Sequence, residues 1–231
     1  MNKKISIIIP CYNEENSIEQ IVDKVIQVVS SPYEIIIIDD FSTDKTRFIL
    51  ENKLKNKIDK LILNPSNLGK GYSLRQGISE ASGEIILIQD ADLEYDPNDY
   101  KKLIEPIEEG YADVVYGSRF TGAQNKRVLY FWHMVGNKFL TFLSNMFTNL
   151  NLTDMEVGYK VFKSDVLKNI KLYEDRFGFE PEITAKIARK NLRVYEVGIS
   201  YHGRKYSEGK KITWRDGFSA IRCIVLYGLI K

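Results

Sequence analysis

Residues 5–14 read ISIIIPCYNE, a continuous run of apolar and mostly β-branched side chains that ends in a polar triplet. Such a run without alternation predicts a strand buried on both faces and ended by Pro10. Similar strand-like runs follow at residues 35–38, 61–63, 84–88 and 114–116. Because helix-like segments separate these runs, we predict an α/β fold with a mostly parallel sheet and helices on both of its faces.

Amphipathic segments between the runs predict the helices. Ser17 and Gln20 match a capping box, and the apolar positions after them recur at helical spacing up to Pro32. Further helices are predicted at residues 44–55, at residues 72–82 and from Asp96-Pro97 onward, where proline suits the first helical turn.

Polar clusters stand at the carboxyl ends of four predicted strands. In open parallel sheets, ligands bind outside the carboxyl ends of the strands. We therefore expect these clusters to converge on one site at one edge of the sheet. The clusters are Tyr12-Asn13-Glu14, Asp39-Asp40, Asp90-Ala91-Asp92 and Gly117-Ser118-Arg119.

Two carboxylates in the third cluster have the spacing of metal ligands. Asp90 and Asp92 lie one residue apart just past a strand, so both can face one hard cation such as Mg²⁺ or Mn²⁺. Glu94 supplies a third candidate oxygen. Because Mg²⁺ is usually shared between carboxylates and substrate phosphates, the pattern also predicts a diphosphate beside this loop.

Two other motifs suit a nucleotide and also suit local structure. Asp39 and Asp40 can accept hydrogen bonds from a base or ribose, or they can brace a helix-capping loop, and both roles can hold together. Gly69-Lys70-Gly71 lacks the Ser or Thr of a complete phosphate-binding loop. We interpret it as a flexible turn that places Lys70 near the nucleotide.

Charge is unevenly distributed along a chain of ordinary composition. The 231 residues are 44% hydrophobic and 28% charged, with a formal net charge of +2. From Arg189 onward, ten Lys and Arg face three Asp and Glu, whereas the preceding part is net acidic. A basic end favours an anionic partner, either phosphate or a membrane surface, and is equally typical of a solvated tail.

Other features of composition indicate a protein of the cytoplasm. Cys11 and Cys223 alone cannot form a disulfide framework, and two histidines are too few for a histidine-based metal site. Neither a secretory signal nor a membrane-spanning stretch is evident. We expect a cytoplasmic chain, free or peripheral on the cytoplasmic face of the membrane, and we expect no nucleic-acid partner.

Seven motifs in register resemble glycosyltransferase family 2, in its dolichyl- or polyprenyl-phosphate sugar transferase branch. They are residues 7–14 (IIIPCYNE), 38–44 (IDDFSTD), 67–71 (NLGKG), 90–93 (DADL), 117–119 (GSR), 154–159 (DMEVGY) and the basic segment 204–210. The resemblance covers nearly the whole chain. It implies a GT-A fold with a Rossmann-like sheet and an inverting, metal-dependent sugar transfer.

The resemblance also divides the chain and implies roles for its residues. Residues 1–231 form one catalytic domain, with a nucleotide-sugar half (1–118), an acceptor half (119–203) and a basic lid with an amphipathic tail (204–231). The implied nucleotide-sugar site comprises Pro10, Tyr12, Glu14, Asp39, Asp40, Lys70, Asp90, Ala91, Arg119, Arg204 and Lys210. The implied metal ligands are Asp90, Asp92 and Glu94, although relatives often carry an amide at the last position.

The nature of the acceptor decides whether a general base is needed. A saccharide hydroxyl requires one, and Asp154, Glu156, Glu180 and Glu182 are candidates. A phosphate monoester has a second pKa of about 6, so it is largely dianionic at pH 7 and can attack without a base. We predict Asp92, Asp154 and Glu182 as catalytic residues, while the acids at 180 and 182 also suit the start of a helix.

Residues 128–150 form an aromatic-rich segment with two interpretations. Its helical stripe consists of Trp132, Val135, Phe139, Leu143, Met146 and Leu150. This stripe either packs on the protein's own core or lies in a bilayer interface. The tail Phe218–Ile230 is predicted as a second interfacial helix or as an oligomer contact. A homo-oligomer and a separate membrane partner both stay open.

The predicted function is transfer of a hexose from GDP-mannose or UDP-glucose to a polyprenyl or dolichyl phosphate. Three alternatives stay open. One is a family 2 enzyme acting on a saccharide in cell-surface polysaccharide synthesis, and another is a non-catalytic module that binds nucleotide sugars. The third is a nucleotidyltransferase, which would need a glycine-rich loop where this chain has Cys11-Tyr12-Asn13-Glu14.

Overall fold

The computed structural model describes residues 3–122, 127–128, 130–204 and 214–229, with the backbone alone at residues 214 and 215. Seven strands form one sheet in the order β3-β2-β1-β4-β6-β5-β7. The strands are β1 (Ile5–Cys11), β2 (Tyr33–Asp39), β3 (Lys60–Leu63), β4 (Ile85–Ile88), β5 (Val114–Ser118), β6 (Lys160–Lys163) and β7 (Val194–Gly198).

Helices connect and cover the strands. They are α1 (Ile18–Val28), α2 (Thr46–Asn52), α3 (Lys70–Glu80), α4 (Tyr100–Glu108), α5 (Phe131–Thr148), α6 (Ser164–Lys168), α7 (Phe179–Ala188) and α8 (Trp214–Leu229). A 3-10 turn at Pro97–Asp99 precedes α4. There the Asp96 side chain accepts a hydrogen bond from the Asn98 backbone N–H at 3.1 Å, so the predicted start at Asp96-Pro97 is confirmed.

The sheet is parallel except for one strand. β6 lies between β4 and β5 and runs antiparallel to both, while every other pairing is parallel. β5 therefore runs in the same direction as β4, and the carboxyl ends of all strands but β6 share one edge. The predicted α/β class with a mostly parallel sheet is confirmed.

The buried strands explain why the chain folds in this way. Ile7, Ile8 and Ile9 of β1 are fully buried, and β2 and β4 are equally apolar. Helix α3 approaches the sheet closely at Gly77, where a Cβ atom would lie 2.4 Å from Cγ2 of Ile8. Burial of such side chains is the main favourable term in folding, at roughly 1.5–3 kcal/mol for each one removed from water.

Two local predictions are wrong. Pro10 lies inside β1 rather than ending it, since β4 pairs only with Ile5–Ile8 and Pro10 is beyond that ladder. The capping box is absent, because the Ser17 hydroxyl donates to Oε2 of Glu14 at 2.6 Å instead of accepting from the helix. The Gln20 amide donates to the Asn16 carbonyl oxygen.

Helix α5 presents part of its apolar surface to solvent. Trp132 and Met146 are 76% and 66% exposed, and Phe131, Val135, Phe139 and Phe142 are exposed with them. Leu143 and Leu150 pack against the core, so these two positions of the stripe follow the core-packing interpretation and the others are exposed. Within the described residues, no helix combines the length and apolarity required to cross a bilayer.

Helix α8 docks on the rest of the protein by one face. Cys223 and Tyr227 are buried with Ala185 of α7, and the Arg222 guanidinium pairs with Oε1 of Glu174 at 2.9 Å. Leu229 and its apolar neighbours on the other face are exposed. The tail is therefore helical as predicted, and half of its apolar surface is used within the chain.

Candidate active site

The carboxyl edge of the sheet brings most of the predicted polar residues together. Asp90 and Asp92 follow β4, Arg119 follows β5, and Lys70 begins α3. Arg204 reaches the same edge from the far end of the described chain, where it contacts Glu14 and the backbone of Asp92. The expected convergence of the strand-end clusters is thus present.

Asp90 is held in place by a lysine and by a close backbone approach. Lys70 Nζ lies 2.9 Å from Oδ1 of Asp90 and 3.1 Å from Oε1 of Glu180. Burial lowers the pKa of Lys70, but the charges of Asp90 and Glu180 outweigh burial and hold that pKa above its usual value. Gly158 contacts the other Asp90 oxygen so closely that a Cβ there would lie 2.1 Å from Oδ2.

The loop after Asp90 turns back on itself. Leu93 has φ +62°, in the left-handed region that a branched side chain rarely adopts. This turn lets the Glu94 backbone N–H donate to Oδ1 of Asp92 at 3.1 Å. Burial, together with the charges of Asp90 and Glu94, raises the pKa of Asp92 to about 7.

Arg204 bridges two loops of the site. Its Nη2 donates to Oε2 of Glu14 at 2.8 Å, and its Nε donates to the Asp92 carbonyl oxygen at 2.9 Å. Its backbone N–H donates to Oε1 of Glu94 at 2.6 Å. The guanidinium thus lies beside the acidic loop, and its predicted contact with a phosphate stays a prediction. Lys210, the other predicted cation of the lid, lies outside the described residues.

Arg119 and Asp154 form a buried pair. Nε and Nη2 of Arg119 donate to the two oxygens of Asp154, each at 2.6 Å, and Asp154 is fully buried. Such a bidentate pair fixes the plane of the guanidinium. Asp154 therefore orients Arg119 in this structure, and its predicted catalytic role stays a prediction.

The aspartates that end β2 brace the neighbouring loops. Asp39 accepts from the Ser42 backbone N–H and pairs with Nε of Arg47 at 2.6 Å. Asp40 accepts from the backbone N–H groups of Leu68 and Gly69 at 2.9 and 2.7 Å. The loop-bracing interpretation is thus present in the structure, and recognition of the base by these residues stays a prediction.

Three other predicted residues lie on the same edge or beside it. Pro10 is half-buried near the end of β1, Tyr12 is half-buried in the following loop, and Ala91 is buried between the two acidic residues. Their roles in nucleotide binding stay predictions.

Glu182 is fully engaged inside the protein. It is fully buried and accepts from the backbone N–H groups of Tyr173 and Glu174 as well as from the Lys186 ammonium. These hydrogen bonds fix the loop before α7, and none of these contacts supports the predicted catalytic role of Glu182. That role stays a prediction.

Two acidic residues of the site have the chemistry to hold a divalent ion. Within the described part of the chain, no set of three His, Cys, Asp or Glu side chains is arranged to hold a metal. Asp90 and Asp92 nevertheless fit Mg²⁺ or Mn²⁺ shared with a diphosphate, since such ions often take only one or two carboxylates. Burial and, after it, the negative charge of Asp90 raise the pKa of Asp92, and a bound cation would offset both effects.

Glu94 fits the ion less well. Its Oε2 accepts from the Tyr201 hydroxyl at 2.6 Å, and its Oε1 accepts from the Arg204 backbone N–H. Metal ligation by Glu94 would have to share its oxygens with these two hydrogen bonds. Its place among the ligands stays a prediction.

Sequence reasoning missed several residues of the site. Gly158 and Lys160 lie close to the acidic residues, and Tyr95 accepts from the Gly158 backbone N–H at 3.0 Å. Lys160 is fully buried, with its ammonium 4.9 Å from the Tyr116 ring centroid. Gly158 stands in a motif that carried the resemblance, but no periodicity or spacing indicates that its missing side chain matters.

Comparison with known proteins places this site in a family. The family model described as glycosyl transferase family 2 matches residues 6–171. Dodecaprenyl-phosphate galacturonate synthase of Rhizobium johnstonii is 26% identical over 90% of this chain and 61% of its own length. Undecaprenyl-phosphate 4-deoxy-4-formamido-L-arabinose transferase of Proteus mirabilis is 27% identical over 90% of this chain and 62% of its own.

A third relative comes from an archaeon. The low-salt glycan biosynthesis hexosyltransferase Agl6 of Haloferax volcanii is 27% identical over 96% of this chain and 53% of its own length. The chain thus spans somewhat more than half the length of the relatives it matches.

Solved structures support the fold. Glucosyl-3-phosphoglycerate synthase of Mycobacterium tuberculosis, in complex with Mn²⁺, UDP and glucosyl-3-phosphoglycerate, superposes with a TM-score of 0.77 at 18% identity. The match covers 99% of this chain and 81% of that one. The same protein in complex with Mg²⁺ and UDP gives a TM-score of 0.75. The fold is therefore GT-A, the architecture of nucleotide-sugar transferases. The chain belongs to glycosyl transferase family 2.

Proposed function

We propose that the chain transfers a hexose from a nucleotide sugar, GDP-mannose or UDP-glucose, to a polyprenyl or dolichyl phosphate, with Mg²⁺ or Mn²⁺ as cofactor. Membership of the family supports transfer from a nucleotide sugar. The names of two relatives support a polyprenyl phosphate acceptor. The observation that carries the proposal is one sheet edge where Lys70 pairs with Asp90, Arg204 contacts the Asp92 backbone and Arg119 follows β5 in its pair with Asp154.

The side chains divide the work of handling a diphosphate. Lys70 fixes the orientation of Asp90, so the carboxylate is preorganised before substrate arrives. Arg204 and Arg119 place positive charge beside the acidic loop, where negative charge develops on the leaving nucleotide. A bound divalent ion would supply further neutralisation of that charge. The division into halves at 1–118 and 119–203, with a lid from 204, is part of this proposal.

The state of the candidate bases favours an acceptor that is already ionised. The carboxylate of Asp154 is paired with Arg119, and that of Glu182 accepts hydrogen bonds from its own loop. Burial and the charge of Glu180 raise the pKa of Glu156 to about 8, so it retains its proton at neutral pH and is a weak base there. A phosphate monoester, largely dianionic at pH 7, needs none of these carboxylates as a base.

The exposed face of α5 suits a lipid acceptor. Phe131, Trp132, Phe139, Phe142 and Met146 form a row of exposed apolar side chains on one helix. Aromatic and aliphatic side chains in such a row insert into the boundary between headgroups and acyl chains. We propose that this face rests on the membrane surface from which the lipid phosphate is taken.

A transfer assay tests the proposal. The purified chain is incubated with Mg²⁺ or Mn²⁺, with GDP-mannose or UDP-glucose, and with a short polyprenyl phosphate, and the lipid is analysed by mass spectrometry. We expect one hexose to appear on the lipid phosphate, with an equal amount of nucleoside diphosphate released. An Asp92→Asn variant should give no product above background.

Each alternative function has its own outcome in the same assay. Sugar on an oligosaccharide but never on the lipid would favour the cell-surface polysaccharide enzyme. Release of pyrophosphate would favour a nucleotidyltransferase. Donor binding without turnover on either acceptor would favour a silent binding module. Any of these results overturns the proposal as stated.

A further inference from the structure

Two carboxylate oxygens beside the acidic loop have no hydrogen-bond partner. Among the described residues, no donor reaches Oε2 of Glu180 or Oε1 of Glu156, although both atoms are buried. Glu180 is only 4% exposed. A buried polar atom without a partner costs about 1–3 kcal/mol, more when it is charged, so such atoms are rare without a ligand or water.

The unpartnered oxygens lie next to the proposed donor site. Oε1 of Glu180 and Oδ1 of Asp90 contact the same Lys70 ammonium, at 3.1 and 2.9 Å. Lys70 and Asp90 are 17% and 18% exposed, so this pair lies just beneath a part of the cleft that solvent reaches. Glu156 interacts electrostatically with Glu180 and with Lys160. Glu156 stands two residues before Gly158, whose backbone closely approaches Oδ2 of Asp90, so both glutamates belong to the surroundings of Asp90.

From this arrangement we infer that Glu156 and Glu180 form the subsite for the sugar ring of the donor and select a neutral hexose over a uronic acid. The inference rests on the proposed function, because it names the sugar class that the same site takes. Hydroxyl groups of a hexose both donate and accept hydrogen bonds, so they match a carboxylate in either protonation state. A neutral sugar thus satisfies both orphaned oxygens without adding charge.

The charges around the proposed sugar subsite disfavour a sugar that carries a carboxylate. Glu156 keeps its proton at neutral pH, so the negative charges of Asp90, Glu180 and Asp154 are matched by the positive charges of Lys70, Lys160 and Arg119. A uronate would add an unmatched negative charge to this largely buried group, which is unfavourable in a site of low dielectric. The chain should therefore differ in sugar class from the relative named a galacturonate synthase.

Equilibrium binding without acceptor tests the inference. Isothermal titration in Mn²⁺ compares UDP with UDP-glucose and UDP-glucuronate, and GDP with GDP-mannose, on the wild-type chain, Glu180→Gln and Glu156→Gln. Either the uridine or the guanosine nucleotides will bind. Within the series that binds, we expect the variants to lose tenfold or more in affinity for the neutral nucleotide sugar and to bind the nucleoside diphosphate within twofold of wild type. If the uridine nucleotides bind, the affinity of wild type for UDP-glucose should be at least tenfold higher than its affinity for UDP-glucuronate.

A matched control separates loss of the subsite from loss of fold. Glu34→Gln makes the same change at a buried glutamate on the opposite edge of the sheet, and it should leave all nucleotide affinities unchanged. Circular dichroism melting establishes that each variant is folded. Should a variant fail to fold, Glu180→Asp, which keeps the charge and withdraws the oxygens, replaces it and should show the same selective loss.

The outcomes distinguish the inference from the proposed function. Equal affinity of wild type and variants for the nucleotide sugar would mean that water alone occupies the subsite, which overturns the inference. Equal or tighter binding of the uronate overturns it as well, as does failure of every nucleotide sugar to bind. Failure of hexose transfer to polyprenyl phosphate, with the selective binding intact, would overturn the proposed function alone.

Discussion

The position of Asp90 requires a glycine at residue 158. A Cβ atom at Gly158 would lie 2.1 Å from Oδ2 of Asp90 and 2.9 Å from Cε2 of Tyr95. Asp90 cannot simply withdraw, because Lys70 holds its other oxygen at 2.9 Å. The position of the first acid is thus set by one glycine and one lysine.

Gly158→Ala should therefore disable the site while leaving the fold intact. The added methyl group displaces Asp90 by about an ångström, and displacements of this size cost roughly a hundredfold in rate. We expect kcat/KM for hexose transfer to fall by about that factor. The control is Gly217→Ala in α8, where a Cβ meets nothing within 4 Å. It should keep full activity, and a Gly158→Ala enzyme as fast as this control would contradict the interpretation.

The site residues differ in how far sequence could predict them. Asp90 and Asp92 were predictable because two acids one residue apart follow a recognisable strand. The pairing of Arg119 with Asp154 was not, because it joins residues 35 positions apart. The contacts of Glu182 could not be predicted either, since an acid near a helix start has the same appearance whether it faces a substrate or its own loop.

At the scale of elements, α5 is the helix whose exposed surface least suits water. Its buried face packs on the core through Leu140, Leu143 and Phe147, and its opposite face carries Phe142 and Met146 into solvent. Large exposed apolar patches generally mark interaction surfaces. The proposed membrane contact gives this face a function.

Replacing Phe142 and Met146 by glutamate should release the protein from membranes. Two charges on the inserted face remove apolar contact and repel anionic lipid, so we expect at least tenfold weaker binding to anionic vesicles in a sedimentation assay. The melting temperature should change little, because both side chains are exposed. Phe48→Glu, at a 60% exposed phenylalanine on α2, is the control and should bind as wild type does. Equal binding by all three proteins would contradict the membrane role of α5.

Elements with strong local patterns were predicted, and those defined by distant pairing were not. Strands β1, β2 and β4 follow from their apolar runs, with ends within two residues of the prediction. β6 is only Lys160–Lys163, and it becomes a strand by pairing antiparallel between β4 and β5. Four residues with a lysine at each end carry no strand signal of their own. The division of the α5 stripe between the core at Leu143 and Leu150 and solvent elsewhere was not predictable, because helical spacing does not say which side faces the core.

For the whole molecule, Glu34 ties three segments together at the edge opposite the site. It accepts hydrogen bonds from the Ser6 hydroxyl in β1, from Lys4 and from the Ser82 backbone N–H before β4. Burial raises the pKa of Glu34, but these hydrogen bonds outweigh burial and lower it to about 2. The ionised form is therefore favoured by the folded state.

Stability should fall in acid as Glu34 is protonated. A carboxyl group with a lowered pKa contributes fully above its unfolded value of about 4.5 and loses that contribution as the pH falls to about 2. The part of this loss due to Glu34 should amount to about 2.5 kcal/mol in the free energy of unfolding between pH 6 and pH 2.5, measured by urea denaturation as the difference between wild type and Glu34→Gln. Glu34→Gln should be less stable at pH 6 and should lose less on acidification. A variant with the same pH dependence as wild type would contradict the assignment.

The central claim concerns the whole catalytic centre: the acid pair after β4 holds a divalent cation against the diphosphate of the donor. Its most direct measurement is the initial rate of hexose transfer across a Mn²⁺ titration, for wild type and for Asp90→Asn/Asp92→Asn, with Asp23→Asn as a surface control. We predict a saturable Mn²⁺ dependence in wild type and control, abolished by EDTA, and a rate at least about a hundredfold lower in the folded double variant. Transfer by the double variant at the wild-type rate, with or without Mn²⁺, would contradict the account.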